Sequence, residues 1–489
     1  MNKIAIIILL FTVFGNLAHG QLNLDLVDVI EQAKKQSPAA KAAETRKKNQ
    51  YWEYRRYRAG YNPFLNLSGS LPGYNRSYEQ VIQDDGTYAF RNQERFLSNL
   101  NLGLVQPISF SGGEISVNTN MQQFYNLNPT GNEPNPNYNA TLFNIQLDQP
   151  IFGFNQLKWD KRTEPLRYEE SKRSYVEEME AVSAEATRRY FDYLDAQINL
   201  QIAEFNLANN DTIFRIEEGR YNIGTTGRDK LLQVELQLLR SKQEVVQAKL
   251  DLQTNRLALR RYIGLQDSLA NNIELVLPDE LPDFEIPLLT ALEYAKQNRS
   301  DYLEFERRRM EAEREVERAR MQRNQTNLSA SFGLNNSAGS LPSTYEDPNN
   351  QQRVNVTLSV PIVDWGRSKA RIQTAVANQE LIDYTLTQEI QIFEQEIITL
   401  VSRFEVLRSQ IEITKKSDAI AQERYDVSQN QYLIGKIDIT NLNIALSEKD
   451  DARRNYIGAL RSFWTSYFEL RRLTLYDFAN DELLYQEAD

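Results

Sequence analysis

The chain has 489 residues, 41% hydrophobic and 25% charged, with a formal charge of −11, one histidine and no cysteine. The absence of cysteine excludes a disulfide framework, a thiolate nucleophile and Cys-ligated metal centres. The acidic balance argues against a nucleic-acid binder, which needs a net basic face.

Residues 1–20 read as a secretory signal peptide. Lys3 is the basic start, 4–14 the apolar stretch, and Ala18-His19-Gly20 the small-residue cleavage site. Cleavage before Gln21 removes the one histidine. His-dependent catalysis and the usual transition-metal ligands go with it, so no catalytic residue, metal or cofactor is expected. Beyond that point no apolar run reaches the roughly 18–20 residues of a membrane helix. If the mature chain crosses a membrane, it must do so as a closed β-barrel, because open strand edges are not tolerated in lipid.

A helix is expected over 26–61. Four segments of period two follow within 64–151. Leu65 and Leu67 alternate with Asn66 and Ser68, Leu102 and Leu104 with Asn101 and Gly103, Ile115 and Val117 with Ser116 and Asn118, and Phe143 and Ile145 with Asn144 and Gln146. Such segments suit strands lying between two different media. A polar loop over 72–94 is expected between the first two. A tight turn is expected at Phe110-Ser111-Gly112-Gly113, and another long loop at Pro129, Pro134 and Pro136. Residues 158–221 form a long helix, roughly 96 Å if fully helical. A tip at Gly224 then reverses the chain into a return helix over 230–264.

Residues 265–286, with Pro278 and Pro282, read as a linker. The same plan then repeats. It has a helix over 288–323, two alternating segments within 327–362 joined by a long loop through Pro342 and Pro348, and a long helix over 369–432. A tip at Gly435, a return helix over 439–475 and a tail over 476–489 complete it. Apolar residues Phe393, Ile397, Val401, Phe404, Leu407 and Ile411 advance by three or four, the narrow seam of a coiled coil. Asp229 and Asp438 are placed to cap the return helices.

The duplication is numerical. Pro150-Ile151 and Pro361-Ile362, Tyr221-x-Ile223-Gly224 and Tyr432-x-Ile434-Gly435, and Leu259-Arg260-Arg261 and Leu470-Arg471-Arg472 all lie 211 residues apart. Upstream, Asn66-Leu67-Ser68 and Asn327-Leu328-Ser329 are 261 apart, so the first repeat holds 50 extra residues, enough for one added hairpin. The repeats are thus 21–264 and 287–475. Six strands cannot close a roomy barrel, since aqueous channels need about 16 to 18. Three copies would supply 18.

In order, spacing and duplication the chain resembles the TolC family of outer-membrane efflux channels. The resemblance rests on Ile30-x-x-Ala33 and Leu292-x-x-Ala295, on Ser359-Val360-Pro361-Ile362-Val363-Asp364-Trp365-Gly366, and on the two Tyr-x-Ile-Gly tips. It implies an α+β membrane protein, a homotrimer with a shared transmembrane β-barrel of about six strands per protomer (four being the alternative). A long α-helical barrel would continue it across the periplasm from the outer-membrane lipid. It also implies a periplasmic adaptor and an inner-membrane pump as partners, for efflux or type I secretion. Ile223, Gly224, Thr225, Ile434, Gly435 and Lys436 match the tip motif that meets the adaptor. Tyr221, Tyr432, Asp229, Asp438 and Asn441 are the candidates at the entrance, with Tyr432 matching a tyrosine that holds it closed. The acidic positions of the family's entrance fall on Asn441 and Ile444, neither acidic. The rival reading is an exported coiled-coil scaffold or adhesin. No P-loop, GxSxG or HExxH motif points to an enzyme.

Overall fold

A computed structural model describes residues 22–83, 85–127, 135–265, 273–278, 281–323 and 325–485. The expected signal peptide, His19, Pro129 and Pro134 lie outside them. The elements in chain order are β1 (Leu22–Leu24), α1 (Leu26–Gln36), α2 (Pro38–Ala59), β2 (Phe64–Ile82), β3 (Tyr88–Ile108), β4 (Gly113–Asn126), β5 (Asn137–Pro150), α3 (Gln156–Asn222) and α4 (Arg228–Tyr262). They continue as β6 (Ile273–Leu275), α5 (Leu288–Asn298), α6 (Ser300–Met321), β7 (Gln325–Ala338), a short 3₁₀ turn (Pro342–Tyr345), β8 (Asn349–Ser359), α7 (Arg367–Leu433), α8 (Ile439–Thr474), β9 (Tyr476–Asp477) and β10 (Glu482–Leu483). α3 and α7 are each 67 residues long, with their starts and ends 211 positions apart. The chain divides into two units, one holding 48–171 and 300–391, the other 1–47, 172–299 and 392–489.

The first unit is built on a six-stranded antiparallel sheet in the order β2-β3-β4-β5-β7-β8. Its register turns the sequence alternation into rows. Leu65, Leu104, Val117, Ile145 and Phe332 are successive partners across five strands. One residue along, on the opposite face, Asn66, Gly103, Asn118, Asn144, Gly333 and Gln351 form a polar row across all six. Side chains alternate faces along a strand, so one face is apolar and the other amide-rich. The apolar face is bare in the single chain, with Leu67 68% and Leu358 67% exposed. The outer strands β2 and β8 each leave one edge unpaired.

The expected 72–94 loop is not formed. β2 runs to Ile82 and β3 starts at Tyr88, leaving only 83–87 between them. Pro72 is absorbed in a register shift between Ser70 and Gly73, where a missing amide costs no ladder bond. Beyond it the alternation continues in a more polar alphabet. Tyr74 faces Phe96, and Arg76–Glu94 (2.9 Å) and Arg95–Glu79 (3.1 Å) pair between the strands.

The helices expected over 26–61 and 288–323 are each broken. Ser37 is extended (φ −61°, ψ 145°), as the residue before a proline must be, and its hydroxyl accepts from the Ala40 amide at 3.0 Å to restart the helix. Arg299 takes the same conformation (φ −74°, ψ 146°) with no proline after it. Its guanidinium sits 4.4 Å from the centre of the Phe393 ring.

In the second unit the core gathers Val29, Ile30, Ala33, Tyr190, Phe191, Leu194, Leu259, Ile263, Phe404, Ile457, Leu460 and Phe463. Part of the expected linker is strand: β6 pairs in parallel with β1. Part of the expected tail is also built in, as β9 and β10 pair antiparallel. A buried ion network ties these pieces together. Glu180 accepts from Arg471 (2.8 Å) and Lys34 (2.7 Å), Arg471 also pairs with Asp477, and the Tyr467 hydroxyl donates to Asp477 at 2.7 Å. Burial acts to raise the Asp477 carboxyl, but Tyr467 and Arg471 outweigh it and hold it below the usual range.

Asp195 is the opposite case. Burial pushes its carboxyl up to about 6 against the pull of Arg461, which contacts Asp192 at 2.6 Å and Asp195 only at 3.6 Å. A raised carboxylate costs stability above its folded value and nothing below its unfolded one. Asp195→Asn should therefore raise the unfolding free energy at pH 7 by an amount on the order of 1 kcal/mol, after discounting for partial exposure. The gain should vanish as pH falls from 6 toward 3.8. Thermal unfolding of both proteins across that window checks it.

Candidate functional site: the two helix-hairpin tips

Both tips of the second unit end their long helix in the same way. Gly224 (φ +76°) donates to the Tyr221 carbonyl at 2.9 Å, and the Thr225 amide reaches back to the Arg220 carbonyl at 2.9 Å. Gly435 (φ +75°) donates to the Tyr432 carbonyl at 3.0 Å, and the Lys436 amide reaches the Gln431 carbonyl at 2.8 Å. This paired six-to-one and five-to-two pattern closes a helix, and its left-handed residue is glycine because no Cβ is penalised there. The residues just before the glycines, Ile223 (75% exposed) and Ile434 (67%), are apolar side chains with no core to enter. Thr225 and Lys436 are exposed beside them.

The return helices start differently. Asp438 caps α8, its carboxylate accepting from the Asn441 amide at 2.9 Å. Asp229 does not cap α4: Gly227 holds the cap position, without a side-chain bond, and Asp229 lies in the first turn. There it faces the positive end of the helix dipole, which replaces the cap with a weaker charge interaction. Asp229, Asp438 and Asn441 are all exposed, and Ile444 is 46% exposed.

The two equivalent tyrosines diverge. Tyr221 is exposed. Tyr432 is 2% exposed, in a small core with Ile213, Val234, Tyr425, Ile439, Leu442 and Leu446, so it joins both hairpins. Its hydroxyl donates to Glu217 on α3 at 2.7 Å. Arg220 binds the same Glu217 oxygen at 2.7 Å, and its guanidinium lies 5.4 Å from the centre of the Tyr432 ring. Arg220 also approaches the Leu433 carbonyl at 3.5 Å. Glu217, Arg220 and Tyr432 thus form one latch between the end of α3 and the end of α7. Burial and the Glu217 carboxylate raise the Tyr432 hydroxyl well above its ordinary value, so it stays a donor. Burial alone would raise Glu217, but hydrogen bonds from Tyr432, Arg220 and Thr226 leave it lowered. Its contribution is therefore present above the ordinary glutamate range and is lost only as pH falls through the lowered value.

Glu217 and Arg220 are not singled out by the sequence motifs. The signal for them is a break in the repeat: their equivalents 211 positions on are Ser428 and Gln431, so only the first hairpin carries the charged pair. Among the described residues no group of His, Cys, Asp and Glu could hold a metal, and no helix is long and apolar enough to cross a membrane.

A family model described as outer membrane efflux protein matches residues 29–265 and 291–474. No curated protein matches the chain in sequence. Among solved structures it is similar to the CmeC outer membrane channel of Campylobacter jejuni, at 16% identity and a TM-score of 0.68, covering 94% of this chain and 87% of that one. It is also similar to CusC, described as forming a transmembrane channel, at 17% identity, 0.64, 92% and 91%. A third is the outer membrane protein VceC of Vibrio cholerae, at 16%, 0.65, 92% and 95%. With its tips, duplicated helices and two-faced sheet so placed, this chain belongs to the outer membrane efflux protein family.

Proposed function

We propose that the chain is a trimeric outer-membrane conduit through which an adaptor and an inner-membrane pump pass their substrates outward. The reading is carried by the paired rows across the sheet. A face of Leu, Val, Ile and Phe suits lipid and a face of Asn, Gln and Gly suits water, while the free edges of β2 and β8 require partners that other copies can supply. Three copies would give 18 strands, in the range of barrels with an aqueous channel. The protein conducts passively; the pump supplies the energy. An exported coiled-coil scaffold has no use for the sheet.

The tips are the proposed adaptor contact. Ile223 and Ile434 each present one bare apolar side chain beside a fixed glycine turn, and the latch behind them is the proposed closure. Ile223→Asp with Ile434→Asp should abolish co-purification of the adaptor while leaving the protein in the outer membrane. The conduit reading is tested by fractionation and planar-bilayer recording. The protein should follow the outer membrane and show discrete conductance steps. A protein found in the soluble periplasm would contradict it.

A further inference from the structure

The sheet is electrically polarised along its strands. Because the strands alternate in direction, its two ends collect different connections. One end holds the junctions with α2, α3, α6 and α7 and the 109–112 turn; the other holds the far ends of β2, β3, β4 and β5 and the 339–348 connection. Among the described residues of the connections at that second end, Asp85, Glu346 and Asp347 are charged and no lysine or arginine is present. At the helix end, the seven helical residues next to each junction and the connections themselves carry twelve lysines and arginines against five carboxylates. Including Glu114 and Asp148, just inside the strands, still leaves an excess of five cations, in a chain of net −11.

Arg318 pairs with Glu315 at 3.0 Å and Arg323 acts on the Asp364 carboxylate, but most of these cations make no ion pair. Lys158, Lys161, Arg320, Arg323, Arg367 and Lys369 are exposed, and none is in an ion pair among the described residues. Bare apolar side chains stand at the same level: Phe110 (88% exposed), Phe152 (64%) and Trp365 (96%). Trp365 is held in the left-handed region (φ +51°) while Asp364 accepts from the Gly366 and Ser368 amides at 3.0 and 2.8 Å. A non-glycine residue is disfavoured there, and the indole, 96% exposed, gains no packing within the chain for it. Aromatics at the rim of an apolar band, backed by unpaired cations, match the boundary between acyl chains and anionic phosphodiesters.

We propose that this collar binds the headgroups of anionic phospholipids in the leaflet on the helix side of the sheet, fixing how deeply the barrel sits. The proposal rests on the membrane reading above. Its centre is where α3 leaves β5 and α6 enters the neighbouring β7, away from the free edges. There Arg318 stacks 4.8 Å from the Phe154 ring, joining the two helix ends.

The test is lipid retention by the full-length protein, purified from phosphatidylcholine bilayers with or without phosphatidylglycerol and read by native mass spectrometry. The wild type should retain phosphatidylglycerol about tenfold over phosphatidylcholine, a preference that falls with added salt. The variant K158Q/K161Q/R162Q/R320Q/R323Q should lose it, and the charge-loss control R240Q/K242Q/K249Q on α4 should keep it. Inorganic phosphate should not displace the lipid. The salt series uses the wild type alone and stands whether or not the variant folds. A wild type that inserts and conducts but shows no lipid preference overturns the collar alone. So does a preference that survives in the five-fold variant, or one abolished by phosphate. A protein that enters neither bilayer overturns the membrane reading as well.

Discussion

Glu180→Ala is expected to lower the unfolding free energy by about 3–5 kcal/mol, the cost of leaving buried cations without their counter-charge. Glu180 is 3% exposed and accepts from both Arg471 and Lys34. Removing it strands a guanidinium that also holds Asp477 and, through it, the β9–β10 segment. Lys34, at 28% exposure, recovers part of its hydration, so most of the loss falls on Arg471. Glu180→Gln should cost less, because an oxygen acceptor remains. Arg46→Ala supplies the contrast. Its 2.8 Å pair with Glu178 is exposed (60% and 31%) and should be worth under about 1 kcal/mol. Denaturant unfolding of the three variants reads all of these, and equal effects of Glu180→Ala and Arg46→Ala would contradict the assignment.

The second large effect is expected at the latch. Glu217→Ala leaves the Tyr432 hydroxyl buried without its acceptor and frees Arg220 from its partner. A hydrogen bond to a charged group is worth about 1.5–3 kcal/mol. If the latch holds the closed state, its loss should shift the closed-to-open balance about ten- to a hundredfold per copy. Tyr432→Phe should give a smaller shift in the same direction. Tyr221→Phe should give none, since Tyr221 is exposed. Single-channel recording would show longer open times in the first two variants. An unchanged open probability in Glu217→Ala would remove the latch from the gating mechanism while leaving its structural role intact.

How much of this was legible in advance follows from what each feature depends on. The tip glycines announce themselves because a left-handed turn accepts few other residues, and the strand rows announce themselves because two media impose a period of two. The 211-residue offset brings out both hairpins at once. Other features depend on partners far away in sequence. Tyr221 and Tyr432 occupy equivalent positions, yet only Tyr432 is buried, in a core with Ile213, Val234 and Leu442 from other helices, where Glu217 takes its hydroxyl. The break at Ser37 was readable from Pro38. The matching break at Arg299 was not, since no proline follows it. The 72–94 segment reads as loop by its polarity. It forms strands because its cross-strand charges and aromatics pair once the neighbouring strand is in register.

Six strands per copy, closed by other copies, is the claim on which the channel reading stands. Single cysteines placed along β2, each combined with one along β8, probe the two free edges directly, the chain having no cysteine of its own. Mild oxidation in native outer membranes should give a covalent ladder that ends at three copies, for pairs in one register only. A ladder that ends elsewhere, or a monomer that stays in solution without detergent, would contradict it.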